Sequence, residues 1–473
     1  MNRKNTDADH MVNGATRKAV AAVLKGGIIV GALMGLGAVA QAQTAPAADD
    51  SLTWHGVTLY GIVDIGVQFD TNAAPISDYF PAGSNDIIQS NGAGSVTGLT
   101  PNNLSQSRIG LKGSEPLTGD WSAVFKVETY FNPQSGDISD ALKSLTLNNG
   151  KALAAQTTGI DSSVAGQLFS QAFVGVSSPV SGTLTFGRQN TLFADAVAKY
   201  DPQGASQAFS VIGLSGTAAG GGDTQDRRLD QSVKYVAMFG NAHLGAQYKF
   251  KQSSGGAGNA VELQLGGEYG GLSVDAYYIN VNDAVSVKAL SAAQLTTAVA
   301  AGYSSTNALS GTISDNTSYA LVGSYSFGAP KVFAGYEHIR YANPSTPLAP
   351  GFIDIGGYVL AAVSNTAYTN DKVLQVFWAG LKFAATPKWD LTLAYYGYRQ
   401  NSYATGAEAG CSSTISGGCS GTLDGLSVST DYHFTKRFDV YAGAMYTEVQ
   451  NGQAAGYLNT SNINPTIGVR YQF

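Results

Sequence analysis

The sequence predicts an all-β protein: a 16-stranded antiparallel transmembrane β-barrel with one connection folded inward. Three observations predict it. The chain has 58 Gly, 25 Tyr and 19 Phe, yet Asp, Glu, Lys and Arg make up only 13%. Soluble domains carry about 25% charged residues. Low charge with many Gly and Tyr suits strands that meet lipid on one face and place aromatic rings at the water boundaries. Second, no stretch beyond the N-terminus holds the roughly 18 consecutive apolar residues of a membrane helix. A spanning chain of this kind must close its sheet, because open strand edges cannot be satisfied in hydrocarbon. Third, segments of period two recur at about the ten-residue length of a tilted membrane strand, and their connections alternate long and short.

Residues 1–42 read as a secretory signal. Arg17, Lys18 and Lys25 flank or precede an apolar run, Gly26 to Ala40, which ends at the small-x-small pattern Ala40-Gln41-Ala42. The alternative, an N-terminal anchor, calls for a longer run with less Gly. Residues 43–473 then form one barrel domain. Removing the signal takes away five basic residues and two acids and leaves 22 basic and 31 acidic residues, a net of −9. That balance is no footprint for nucleic acid. It points to cation preference wherever those acids line water.

The expected strands are 57–69, 105–113, 121–131, 169–177, 183–188, 231–240, 243–250, 260–269, 272–281, 317–327, 331–341, 371–384, 389–399, 423–434, 438–449 and 465–473. Tight turns, such as Gly240-Asn241-Ala242 and Gly270-Gly271, alternate with long connections, as a barrel with one short-turn mouth requires. Within the strands, Val261, Leu263 and Leu265 alternate with Glu262, Gln264 and Gly266. A soluble sandwich shows the same alternation. Uniform strand length, low charge and tyrosines near strand ends (Tyr130, Tyr248, Tyr269, Tyr341, Tyr398, Tyr432, Tyr446) favour the barrel, with the polar set facing water inside. On that parity Asp64, Lys112, Lys126, Glu128, Lys234 and Arg470 line the lumen, and Arg108 shares the inward face of Gln106 and Lys112.

One connection stands out. Arg188 to Arg228 spans about forty residues, uncommon for a loop without a function. It carries its own bulky apolar residues and the acids Asp195, Asp201, Asp223 and Asp226. Residues 189–230 are therefore expected to fold into the lumen and narrow it. Arg228 shares parity with Ser232 and Lys234 and is expected beside this loop. Cys411 and Cys419 lie in a Gly/Ser-rich loop, where export makes a disulfide the expectation over free or metal-bound thiols. The five histidines are scattered, with no His-x-x-x-His pair, nucleophile elbow or P-loop. No enzyme activity, cofactor or metal is expected. The chain ends on alternating Ile467, Val469, Tyr471 and Phe473.

Several segments resemble the general-diffusion porins of the Gram-negative outer membrane, in particular the β-proteobacterial branch. They are Val57 to Asp64 (VTLYGIVD), Ser107 to Glu115 (SRIGLKGSE), Gln171 to Gly175 (QAFVG), Gly182 to Gln189 (GTLTFGRQ), Gln231 to Tyr235 (QSVKY) and Gly468 to Phe473 (GVRYQF). Together they span nearly the whole mature chain. The resemblance implies a homotrimer embedded in outer-membrane lipid and lipopolysaccharide, passing small hydrophilic solutes and ions. It implies that the third external loop forms the constriction, and that Phe473 is the signal read by the outer-membrane assembly machinery. In the family, loop acids face a ladder of wall arginines. Arg108 and Arg228 match two ladder positions, but the arginine expected just before QAF is Ser170. Asp195 matches the acid after the GRQ motif, and Asp201-Pro202-Gln203-Gly204 resembles the family's Asp-Pro turn. A substrate-specific porin is the nearest rival; a closed barrel acting as adhesin or receptor is a more distant one.

Overall fold

Alternating residues of opposite polarity give each strand one face for lipid and one for the interior, and sixteen such strands close on themselves. The computed structural model describes residues 52–73, 94–136, 168–212, 228–251, 258–283, 286–287, 296, 311–312, 315–345, 354–355, 358–359, 370–403, 419–454 and 459–473. The expected signal (1–42), Asp223, Asp226 and Cys411 lie outside these residues. The barrel strands are β1 (Val57–Ala73), β2 (Arg108–Pro116), β3 (Ser122–Tyr130), β4 (Gln171–Ser178), β5 (Gly182–Asn190), β6 (Arg228–Phe239), β7 (Ala242–Lys249), β8 (Ala260–Tyr269), β9 (Leu272–Val281), β10 (Asp315–Ser326), β11 (Pro330–Ala342), β12 (Lys372–Thr386), β13 (Trp389–Gln400), β14 (Gly421–His433), β15 (Phe438–Asn451) and β16 (Thr466–Gln472). Each pairs antiparallel with its successor. β1 closes the ring, pairing with β16 from Ile62↔Gln472 to Gln68↔Thr466 and with β2 from Val57↔Gly113 to Ile62↔Arg108. Three short strands, Thr53–Trp54, Gly94–Pro101 and Ser461–Ile463, extend the same sheet. Among the described residues no helix is long and apolar enough to cross a membrane.

The short turns follow from glycine chemistry. At the β8–β9 turn, Gly270 (φ 55°) and Gly271 (φ 92°) both take the left-handed conformation that a two-residue hairpin needs. The facing assignment follows the alternation: Leu263 and Leu265 are 47% and 65% exposed on the outside, whereas Glu262 between them and the loop is 1% exposed.

Three features depart from the strand pattern read in the sequence. The second strand begins at Arg108 rather than Ser105. Gly94–Pro101 instead continues the pairing along the upper part of β1, and residues 102–107 form a break between the two segments. Asn102 turns left-handed there (φ 62°). The carboxylate of Asp64 accepts the N–H groups of Leu104 (3.0 Å) and Ser105 (2.7 Å) and the hydroxyl of Tyr441, replacing ladder partners that the break removes.

Second, the tyrosines near strand ends divide. Tyr248, Tyr269 and Tyr432 are exposed outside, but Tyr341 and Tyr398 are each 2% exposed inside the barrel. They join Ile279, Ile339, Leu374, Trp378 and Tyr396 in an interior apolar cluster. Third, β6 carries a bulge: pairing with β5 shifts between Gly187↔Ser232 and Gln189↔Leu229, where Gln231 is left-handed (φ 48°). Leu229 therefore joins the interior cluster, and the simple parity linking Arg228 to Ser232 and Lys234 does not hold.

Candidate functional site in the barrel lumen

The segment after β5 contains a helix that the sequence reading missed, α1 (Leu192–Tyr200). Its signals are local. Thr191 caps it, accepting the N–H of Ala194 at 3.0 Å, with Asp195 in the first turn and Lys199 in the last. Leu192, Phe193, Ala196, Val197 and Tyr200 form one buried face. That face covers the apolar interior cluster, which is why the inner walls of β9 to β13 tolerate Ile, Trp and Tyr.

The helix and the residues after it are pinned around the inner wall. Glu262 on β8 accepts the N–H groups of Leu192 (2.7 Å) and Phe193 (3.3 Å), a carboxylate at a helix N-terminus. Tyr200 bonds Ser273 (2.6 Å) and Asp275 on β9, and the Trp378 indole on β12 donates to the Tyr200 carbonyl (2.9 Å). Gly380 on β12 leaves room for the turn that follows: a Cβ there would lie 2.4 Å from Pro202. Gln203 donates to Ser427 (3.0 Å) and accepts from Ser429 (2.7 Å) on β14. Phe209 meets Tyr441 of β15 edge-on. Ser206 donates to the Asn103 carbonyl (2.7 Å), and Asn464 donates to the Ala208 carbonyl (3.0 Å). Residues 191–212 thus run along the inner faces from β8 round to the break beside β1.

Beside this belt lie water-accessible spaces, two of which are bordered by expected lumen residues. A cavity of about 190 Å³ lies between α1 and the wall, bordered by Arg108, Tyr130, Asn190 and Arg228. A larger one, about 770 Å³, is bordered by Lys112, Lys126, Asp195 and Lys234. Arg108 and Arg228, distant in sequence, thus meet in one space. The Arg228 guanidinium stacks over Tyr130 at 4.3 Å. Asp195, 52% exposed, reaches Lys234 Nζ at 2.6 Å and accepts from Asn190 at 3.0 Å.

Other expected lumen residues are placed differently. Asp201 is 2% exposed and turned into the wall. It accepts the N–H groups of Gln203 (3.2 Å) and Ala205 (2.8 Å) and the Tyr396 hydroxyl (2.6 Å). Burial pushes its carboxyl above the usual range, although these hydrogen bonds pull the other way. Asp64 is fully buried at the β1 break. Glu128 is also buried, held by Lys126 (3.3 Å) and Arg108 (3.7 Å) and by hydrogen bonds from Tyr60 and Gln171, each 2.9 Å. Ser170, at the expected arginine position, donates to the Glu128 carboxylate at 3.1 Å. A buried carboxylate needs partners, and a hydroxyl here supplies one without a charge. Arg188 points to Asp230 and to the Phe169 carbonyl (2.9 Å), and Arg470 pairs with Asp431 and Asp439. Cys419 is buried before β14. Phe473 ends the chain with its backbone paired to Gly61, N–H to carbonyl in both directions at 3.0 Å.

A family profile described as Gram-negative porin matches residues 30–452. An outer membrane porin protein of Bordetella pertussis is 26% identical over 311 residues, covering 64% of this chain and 66% of the relative, just under two thirds of its length. Among solved structures, an anion-selective porin from Comamonas acidovorans superposes with a TM-score of 0.57 at 18% identity, covering 88% of this chain and 99% of that one. OmpT of Vibrio cholerae in its trimer form gives 0.53 at 16% identity, covering 88% and 99%. At those identities the likeness to the solved structures is one of fold. With most of its length matched by the profile, the chain belongs to the Gram-negative porin family and is an outer-membrane β-barrel.

Proposed function

We propose that the barrel is a water-filled channel for passive diffusion of small hydrophilic solutes and ions, narrowed by residues 191–212, and that its narrow part favours anions. The observation that carries this reading is the placement of charge. Arg108, Lys112 and Lys126, with the more buried Arg228 and Lys234 behind them, border the two spaces, against Asp195 among the described residues. The acids Glu262, Glu337, Asp275, Asp201 and Glu128 are buried, several of them behind the loop. A cationic wall across a narrow aqueous gap between low-dielectric surfaces focuses its field into the path and biases ion sign. This sign is opposite to the one that the net charge of the chain suggests. The field also orders water and favours polar over apolar solutes of equal size, and no covalent step is involved.

Assembly as a homotrimer is part of this reading, supported by family membership and by the trimer form of the Vibrio cholerae relative. So is recognition of Phe473 by the assembly machinery, and contact of the outer face with outer-membrane lipid and lipopolysaccharide. Single-channel recording in planar bilayers tests the core of it. Steady open steps with an anion-positive selectivity are expected. A barrel that never conducts is an adhesin or receptor instead, and conductance blocked saturably by one sugar class marks a substrate-specific porin.

A further inference from the structure

At the short-turn mouth, Asp431 and His433 on β14 and Asp439 on β15 face the lumen beside Arg470 of β16. One ligand atom from each of Asp431, His433 and Asp439 lies within 4.8 Å of the other two. The arginine accounts for only half of this arrangement. Arg470 approaches Asp439 Oδ2 through Nε at 2.6 Å and Asp431 Oδ2 at 3.2 Å, and its third nitrogen donates to Ser105 at 2.7 Å. The Oδ1 atoms are left to the other side. Asp431 Oδ1 is buried and has no hydrogen-bond partner among the described residues. Asp439 Oδ1 stands 3.7 Å from His433 Nδ1, too far for a hydrogen bond.

The imidazole is held from behind. His433 Nε2 faces Asp390 Oδ2 on β13 at 3.4 Å, and Lys382 on β12 fixes that carboxylate at 2.9 Å. A carboxylate behind an imidazole is the arrangement that orients a metal-ligating histidine. It turns Nδ1 toward Asp439 Oδ1. A purely structural ion-pair network explains the Oδ2 contacts. It leaves the buried Asp431 Oδ1 without a partner among the described residues.

We propose that Asp431 Oδ1, His433 Nδ1 and Asp439 Oδ1 bind one divalent transition-metal cation of the Zn²⁺ class at this mouth. Two carboxylates against one guanidinium leave a net negative charge for the cation. The imidazole ligand selects against Ca²⁺ and Mg²⁺, which take oxygen ligands. Ligands about 2.0–2.1 Å from a tetrahedral ion lie roughly 3.3 Å apart, so small side-chain rotations close the set. His433 is about one-third exposed, which leaves the remaining coordination positions to water.

Zn²⁺ titration by calorimetry tests this on the full barrel, purified without a histidine tag and stripped with chelator. One saturable site per chain is expected. His433→Ala and Asp431→Asn should each weaken it about tenfold or more, in protein that still runs as a heat-resistant barrel. His243→Ala should leave it intact. His243 is the control because it also sits beside two carboxylates, Asp275 and Glu268, at 3.1 and 3.6 Å. Co²⁺ bound at the same site should give visible d–d absorption that Zn²⁺ abolishes. Absence of saturable binding in the parent barrel overturns the proposal. So does binding that survives His433→Ala unchanged or is lost in His243→Ala.

Discussion

The two loop acids Asp195 and Asp201 are chemically identical, and the structure predicts opposite consequences for neutralising them. Asp195 is half exposed beside the larger cavity, with Lys234 at 2.6 Å. Asp201 is 2% exposed and turned toward Tyr396 and the backbone of its own turn. A unit charge about 8 Å from a permeant ion in water contributes about 0.5 kcal/mol. Anions and cations move in opposite directions, so their ratio changes by about 1 kcal/mol, cut by roughly half at 0.1 M salt, where the Debye length is about 10 Å. Asp195→Asn should therefore raise the anion-to-cation permeability ratio about two- to threefold, since it also unmasks Lys234. Asp201→Asn should leave the ratio within measurement error. Reversal potentials of bilayer-inserted protein across a KCl gradient read both directly. If Asp201→Asn shifts the potential as far as Asp195→Asn does, the charge assignment of the lumen is wrong. If neither shifts it, the path does not pass Asp195.

Other expectations rest on separate contacts. Leu265→Arg places a charge on the lipid face at a cost of roughly 2–4 kcal/mol near the midplane and should block assembly. Gln264→Arg should be tolerated, because Gln264 faces inward and already donates to Asp275 at 3.1 Å; the yield of heat-resistant barrel on gels compares them. Asp64→Ala strands the N–H groups of Leu104 and Ser105 and the Tyr441 hydroxyl, and should cost about 3 kcal/mol or more, seen as a lower unfolding temperature of the barrel. The raised pKa of Asp201 in the docked loop makes docking pH-dependent. A raised folded value means that its contribution is complete below the undocked pKa and fades as pH rises through the docked one. Acidification from neutral pH should therefore raise the protection of the 201–206 amides relative to their intrinsic exchange rates at each pH, and Asp201→Asn should remove that rise.

Strand parity, turn positions and the closed barrel were legible in the sequence because each depends on local rules: period two, glycine at left-handed turns, and the need to satisfy every backbone group in lipid. Leu265 outward, Glu262 inward and the Gly270-Gly271 turn are all readable on that basis. The unusual loop was legible too, by its length. What it does inside the barrel was only partly so. Parity says which way a side chain points but not what meets it there. Tyr341 and Tyr398 read as boundary aromatics until α1 supplied an apolar face to cover them. Asp201 and Glu128 read as charges facing water until their hydrogen-bond partners, up to 195 residues away, turned them into the wall. One extra residue in β6 moved Leu229 into the core and ended the parity argument for Arg228, although Arg228 still reaches the lumen beside Tyr130. The sequence by itself determined the barrel and its two faces, because those follow from neighbours along the chain. Only the tertiary structure decided which charges keep contact with water, because that depends on how the loop packs against walls remote from it in sequence.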